Sequence, residues 1–126
     1  MLHSFILPTA RLATVSPEDF LRKAMSARSS ASRARFARLG LATRAPLDRT
    51  THAMLLRQLY LSHFEARRFR QAHEIALQAI TLNVLADVLH QDAARAALAR
   101  GDLDVAITFS TGMDSTRSAV VRNRVR

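Results

Sequence analysis

The sequence predicts an all-α protein built from antiparallel helix pairs, and three observations support this prediction. Through residues 51–101, apolar residues recur at intervals of three and four, as they do along one face of an α-helix. Serine, proline, aspartate and glycine stand where helices would begin and end. Phe69 and Leu103 each precede an alanine by three residues, and those alanines, Ala72 and Ala106, are 34 residues apart. A period of about 34 residues is typical of helix-turn-helix units that bury their apolar faces by stacking on one another.

The chain divides into four predicted segments. Residues 1–15 have no helical period and form an irregular lead, 16–49 form a basic helical segment, 50–107 form helical repeats, and 108–126 form an arginine-rich tail. The tail opens with β-branched residues, serine and glycine, which are weak helix formers, so we expect the repeats to be cut short there. A frame-altered tail and a frayed native terminus are both consistent with this change.

Helix boundaries in the basic segment follow from its capping residues. Ser16 is suited to the N-cap of a first helix, and Asp19, three residues later, completes an approximate capping box. We expect this helix to reach about Arg28. A second helix is expected over about 31–39, and Gly40 is suited to be its C-terminal stop.

The repeat segment predicts three helices. Residues 54–64 and 69–80 carry apolar positions at helical spacing on either side of a tight turn at 66–68, which predicts an antiparallel hairpin. A further helix is expected from about Leu85 through Ala99, and Gly101 would end it.

The two units resemble tetratricopeptide repeats. Their turn and crossing positions are filled by Phe69, Ala72 and Ala79 in a first unit over about 53–86, and by Gly101, Leu103 and Ala106 in a second unit from 87 onward. The resemblance implies that Ala72, Ala79 and Ala106 lie where helices cross, with Phe69 and Leu103 filling the adjacent groove. It also implies a short right-handed superhelix. Tyr60 departs from the family pattern, because the family favours a small residue at that position.

In such arrays, the first helix of each unit forms a concave face that binds a partner. The resemblance therefore assigns partner binding to Met54, Arg57, Leu61, Phe64, Gln91, Arg95 and Leu98. Arg57 and Arg95 would hold a carboxylate or an acidic peptide through charge-assisted hydrogen bonds. The expected function is a non-enzymatic protein-protein interaction module, a scaffold or adaptor. The alternative is that these positions are solvated surface residues.

Enzymatic and metal chemistry have no candidate constellation in this sequence. His73-Glu74 begins like a metalloprotease helix, but Leu77 stands where the second histidine would be required. No nucleophile motif, phosphate-binding loop or paired carboxylates are present, so we expect no catalytic residue, no metal and no cofactor. No apolar run is long enough to span a membrane, and the first eight residues carry no Lys or Arg, which predicts a cytoplasmic protein.

Nucleic-acid binding is the alternative function. The net charge of +9 is concentrated outside the repeat segment, and residues 22–38 contain six basic residues: Arg22, Lys23, Arg28, Arg33, Arg35 and Arg38. Such a cluster would neutralise phosphates without reading bases. Against a helix-turn-helix role, the helix that would read bases carries Asp87 and Asp92 against a lone Arg95, and acids there would repel phosphate.

Overall fold

The computed structural model describes residues 15–101, and every regular element in that range is an α-helix. The five helices are α1 (Pro17–Met25), α2 (Ser30–Leu41), α3 (Arg49–Glu65), α4 (Phe69–Ile80) and α5 (Ala86–Arg100). The predicted all-α class is confirmed for this part of the chain. The lead up to residue 14, the tail of 108–126, and the proposed packing residues Leu103 and Ala106 lie outside the described residues.

The predicted capping box at the start of α1 is present. Asp19 donates its backbone N–H to Ser16 Oγ at 3.2 Å, and Ser16 donates its own to Asp19 Oδ2 at 3.1 Å. The helix ends at Met25, earlier than the expected Arg28, and Ser29 then caps α2 by accepting the N–H of Ser32 at 3.1 Å. The serines therefore separate two helices instead of weakening one.

The prediction that Gly40 stops the second helix is wrong. Helix α2 continues through Gly40 to Leu41, and Gly40 is buried. A Cβ at this position would lie 2.7 Å from Leu55 Cδ2 on α3 and 3.1 Å from Phe20 Cβ on α1. The glycine is thus required by the close approach of three helices, and not by the backbone conformation of a helix end.

Helices α3 and α4 form the predicted antiparallel hairpin. Their turn occupies residues 66–68, where Arg67 adopts a left-handed φ of 62° and Arg68 donates its N–H to the His63 carbonyl at 2.8 Å. Ala79, near the end of α4, packs in a cluster with Ala53, near the start of α3. Because early residues of one helix meet late residues of the other, the pair runs antiparallel.

Tyr60 fills the space that four alanines leave between three helices. It is almost completely buried on α3 and packs in one cluster with Ala72 and Ala76 of α4 and with Ala93 and Ala96 of α5. The large side chain at the position where the tetratricopeptide pattern favours a small one is therefore matched by small residues opposite. Interiors are packed closely, so a large side chain on α3 requires small residues on the two helices opposite.

Consecutive helices pack against each other along the whole described segment. In addition, α1 contacts α3 and α3 contacts α5, whereas α2 and α4 do not contact each other within residues 15–101. Thr51 Oγ1 on α3 donates to Glu18 Oε2 on α1 at 3.4 Å, and Ser62 Oγ donates to the Ser30 carbonyl on α2 at 2.6 Å. The helices are therefore arranged as a row in which the odd-numbered members share one side.

The predicted third repeat helix is α5. Asn83 and Leu85 adopt left-handed φ values of 58° and 52° in the connection from α4, and Leu89 is buried in the first turns of α5. Gly101 ends the helix with a φ of 89°, which confirms the predicted stop. Glycine adopts this conformation without the steric cost that a side chain would bring.

Candidate partner-binding face

A half-exposed stripe runs along α3 between two buried sides of the helix. Met54, Arg57, Leu61 and Phe64 are all partly exposed, whereas the intervening residues 55, 56, 58–60 and 62 are buried. The spacing of three and four residues puts the four side chains on one side of the helix. The positions assigned to partner binding on α3 therefore share one accessible side.

Helix α5 presents a corresponding stripe. Gln91 is half-buried, Arg95 is exposed, and the side chain of Leu98 has a relative exposure of 40%. Val88, 38% exposed, belongs to the same helical stripe and follows Met54 by 34 residues, although sequence analysis did not select it. The repeat period itself was the signal that would have identified it. We call the stripes of α3 and α5 together the α3–α5 face.

An ion pair joins the two stripes. Arg57 Nε donates to Asp92 Oδ2 at 2.7 Å and Arg57 Nη2 donates to Asp92 Oδ1 at 3.3 Å, which is a two-point contact between α3 and α5. Arg95 Nη1 lies 3.7 Å from Asp92 Oδ1. The two arginines that were predicted to hold a partner carboxylate are thus brought together by a carboxylate of the chain itself.

Accessibility differs sharply among these three residues. The Asp92 side chain is 2% exposed, that of Arg57 is 31% exposed, and that of Arg95 is 54% exposed. Burial raises the pKa of Asp92 above its ordinary value, and the hydrogen bonds and positive charge of Arg57 only partly offset this shift. Arg57 therefore compensates a buried charge, while Arg95 has most of its surface available to a partner.

The burial of Asp92 corrects one step of the sequence analysis. The sequence predicts that Asp92 would repel phosphate, whereas the structure buries it against Arg57, which compensates its charge. Asp87 on the same helix is exposed. The pairing was not predictable from helix periodicity alone, because it depends on how α3 and α5 are aligned.

Tyr60 adds a buried hydroxyl beside this ion pair. Burial, followed by the negative charge of Asp92, raises the pKa of Tyr60 to about 12, so the phenol is protonated at neutral pH. The positive charge of Arg95 opposes this shift, yet no described residue forms a hydrogen bond of ordinary geometry with the hydroxyl. Tyr60 therefore contributes packing volume beneath the face and no anionic charge.

Aromatic contacts continue the buried layer toward the turn between α3 and α4. The Phe64 ring centroid lies 5.6 Å from that of Tyr60 and 5.0 Å from that of Phe69, the second contact being edge to face. Ala72 and Ala79 on α4 are fully buried, and Phe69 is half-buried. These three positions lie on the helix hairpin, and Leu103 and Ala106 are outside the described residues.

Within residues 15–101, no three His, Asp or Glu side chains converge in a way that would hold a metal ion. No helix in that range is both long and apolar enough to cross a membrane. Comparison with protein-family models, with curated proteins and with solved structures found no match to this chain.

Proposed function

We propose that this protein is a non-enzymatic interaction module of tetratricopeptide type, a scaffold or adaptor that binds an acidic peptide or partner helix along the α3–α5 face. The row of helices supports this proposal, because within residues 15–101 only the odd-numbered helices contact one another across a hairpin. That is the arrangement expected when the first helix of each unit lines the inner side of a short right-handed superhelix. The proposed location is the cytoplasm, as the sequence analysis expected.

The observation that carries the proposal is that Arg95 is accessible and lies beside Asp92, whose negative charge is already balanced by Arg57. Two guanidinium groups share one carboxylate, so the centre of the α3–α5 face has a net charge of about +1 at neutral pH. Leu61, Phe64 and Leu98 flank it with partly exposed apolar surface. A partner with an acidic residue between apolar ones would complement both features.

Arg95 is the appropriate residue for a test of this proposal. Its side chain is 54% exposed and lies 3.7 Å from Asp92, so substitution by glutamate perturbs the buried carboxylate less than Arg57→Glu, which would remove the two-point contact and place a second carboxylate against Asp92. The control is Arg35→Glu, which makes the same change on an exposed residue of α2, a helix that does not contact α5 in the described part of the chain. Circular dichroism at 222 nm verifies that both variants remain helical.

The experiment is a selection of displayed random peptides on the full chain, followed by affinity measurement with the selected peptides. We expect peptides that combine acidic and apolar residues, binding to Arg35→Glu within about twofold of the original affinity, and at least tenfold weaker binding to Arg95→Glu. Peptides without acidic residues, or equal weakening by both substitutions, would contradict the proposed face.

Nucleic-acid binding is the second candidate, and the exposed arginines of α2 favour it. Among the six basic residues of 22–38, Arg22 pairs with Asp19, Arg33 pairs with Glu65, and Lys23 lies 5.9 Å from the ring centroids of both Phe20 and Phe36. Arg28, Arg35 and Arg38 are exposed and form no ion pair within residues 15–101.

Fluorescence anisotropy with duplex and single-stranded oligonucleotides separates this candidate from the first. If α2 binds phosphates, affinity falls steeply between two salt concentrations, and combined substitution of Arg28, Arg35 and Arg38 by glutamine flattens that dependence. Arg95→Glu is the control on the other side of the row. Absence of binding at low salt would remove this candidate and leave the first unaffected.

A further inference from the structure

The guanidinium group of Arg57 has two edges that can each hold a carboxylate, and Asp92 occupies one of them. Nε and Nη2 form this edge, and they donate to Asp92 Oδ2 at 2.7 Å and to Asp92 Oδ1 at 3.3 Å. A guanidinium group carries five N–H donors in a planar fork, so three donors remain after these two. Two of the three point outward along the other edge, between Nη1 and Nη2, where they can donate to a second carboxylate.

This second edge of Arg57 is accessible. Arg57 Nη1 donates to no described residue, and this nitrogen is not buried. The Arg57 side chain is 31% exposed and that of Asp92 is 2% exposed, so the arginine is the outer member of the pair. A ligand can therefore reach Arg57 from solvent while Asp92 holds it from the inner side.

Arg95 adds positive charge beside this edge without a fixed geometry. Its Nη1 lies 3.7 Å from Asp92 Oδ1, which is beyond hydrogen-bond distance, and its side chain is 54% exposed. An exposed side chain in such a pair keeps much of its rotamer freedom, and its contribution is mainly a screened attraction. Arg57 is therefore the arginine with an oriented fork, and Arg95 acts as a nearby point charge.

Asp92 determines how the fork of Arg57 is oriented. Two hydrogen bonds between a carboxylate and a guanidinium group hold the two planar groups in a defined relation, which one bond would not do. Asp92 is itself buried on α5, so it cannot turn away with the arginine. The direction of the Nη1–Nη2 edge is thus fixed before a ligand arrives, and this reduces the entropy lost on binding.

The local charge favours a ligand with one negative charge. Arg57 and Arg95 contribute two positive charges, and Asp92 is the only acid within 4.0 Å of either arginine in residues 15–101. The neighbouring Tyr60 phenol is protonated at neutral pH, so the charges sum to about +1. A carboxylate balances this sum. A phosphate monoester, with a charge of nearly −2, would leave excess negative charge beside the buried Asp92.

We propose that Arg57 binds the acidic residue of the partner through its Nη1–Nη2 edge, and that Asp92 is the positioning residue that holds Arg57 in the orientation this contact requires. The partner residue is an aspartate or a glutamate, whose planar carboxylate accepts two parallel hydrogen bonds from the fork. This inference rests on the proposed function, because it specifies how the α3–α5 face recognises an acidic peptide.

The test is the direction in which Asp92→Asn changes peptide affinity. The probes are an acidic peptide from the displayed-peptide selection and its analogue with the acidic residue replaced by the corresponding amide. If Asp92 only reduced the positive charge of the face, its neutralisation would tighten binding of the acidic peptide. Because Asp92 positions Arg57, we expect about tenfold weaker binding of the acidic peptide and a change below about twofold for the amide analogue.

The two peptides separate positioning from general disturbance of the fold. Tighter or unchanged binding of the acidic peptide by Asp92→Asn would overturn the inference, and so would an equal loss for both peptides. Either result together with impaired binding by Arg95→Glu would refute this inference and leave the proposed face standing. A selection that yields no acidic peptides would refute both.

Three further variants serve as matched controls. Asp87→Asn neutralises an exposed acid on the same helix and should change affinity by less than about twofold. Arg57→Lys keeps the charge but removes the fork, so we expect about tenfold weaker binding of the acidic peptide. Arg95→Lys replaces one point charge by another and should weaken binding less than about threefold. Circular dichroism at 222 nm verifies that each variant is folded, and equal effects of the two lysine substitutions would contradict the oriented fork.

Discussion

Substitution of Arg57 by methionine tests whether the buried ion pair holds α3 and α5 together. The change removes the guanidinium and keeps an unbranched apolar stem, so the main consequence is an uncompensated Asp92 carboxylate that is 2% exposed. Removal of one partner of a buried pair costs about 3 to 5 kcal/mol. Arg95 remains 3.7 Å from the carboxylate and retains part of the attraction, so we expect about 2 to 3 kcal/mol.

The reciprocal substitution should cost less. Asp92→Asn leaves Arg57 without its anionic partner, but the arginine side chain is 31% exposed and retains contact with water, so we expect about 1 kcal/mol. The double variant Arg57→Met with Asp92→Leu removes both charges and should be close to the original stability. Removal of one partner of such an ion pair therefore lowers the free energy of unfolding much more than replacement of both partners by apolar residues.

Urea denaturation monitored at 222 nm measures these differences, with Arg35→Met as the control on an exposed arginine. The pH dependence gives a second criterion. Burial raises the pKa of Asp92, so the folded state binds the Asp92 proton more tightly than the unfolded state does. As the pH falls from 7 toward 4.5, Asp92 becomes protonated and no longer needs the positive charge of Arg57. The stability lost in Arg57→Met should therefore shrink over this range. A loss no larger than that of Arg35→Met, or one that does not change with pH, would refute the reasoning.

Three further substitutions test the packing and the caps by the same urea assay. Gly40→Ala should destabilise the protein by about 1 kcal/mol, because overpacking against Leu55 exceeds the gain in helix propensity; a stabilised variant would show that the helices can separate easily. Tyr60→Phe should be neutral or slightly stabilising, since it removes a buried hydroxyl without a described partner, and a loss above about 1 kcal/mol would reveal a hydrogen bond. Ser16→Ala should cost about 1 kcal/mol. It should also partly raise the low pKa of Asp19, because alanine retains the largest cause, the hydrogen bond from the backbone N–H of residue 16, but loses the second, the hydrogen bond with the Ser16 side chain. The ionised Asp19 stabilises the folded state at pH values above its unfolded pKa, and this contribution is lost as the pH falls through the lower pKa of the folded state. If the loss of stability at acidic pH were the same in Ser16→Ala as in the original chain, this role of Ser16 would be contradicted.

Local signals in the sequence predicted the helices and most of their ends. The cap at Ser16, the turn at 66–68 and the stop at Gly101 each depend on a few neighbouring residues, and all three are present. Gly40 was misinterpreted because glycine serves both helix ends and close helix contacts, and only the positions of Leu55 and Phe20 distinguish the two. The role of Gly40 could therefore be assigned only from contacts between helices that are distant in the sequence.

At the candidate site, too, the sequence predicted features within one helix but not contacts between helices. Helical spacing correctly indicated that Arg57, Leu61 and Phe64 share a side of α3, since that inference needs no knowledge of other helices. It did not reveal that Asp92 lies beneath Arg57, because that contact depends on the alignment of two helices separated by a hairpin. The pairing shows that Arg57 compensates a buried charge, which helical spacing did not predict, and its partner binding stays a prediction.

The arginines of this chain therefore differ by their neighbours and not by their type. Arg57 and Arg95 share a carboxylate, which limits the positive charge of the α3–α5 face, while Arg35 is exposed and forms no ion pair within residues 15–101. If the proposed face binds the peptide, Arg95→Glu impairs peptide binding and Arg35→Glu leaves it nearly unchanged. A common loss in both variants would mean that binding follows the net charge of the chain, because only a nonspecific electrostatic attraction responds equally to charges removed from separate sites.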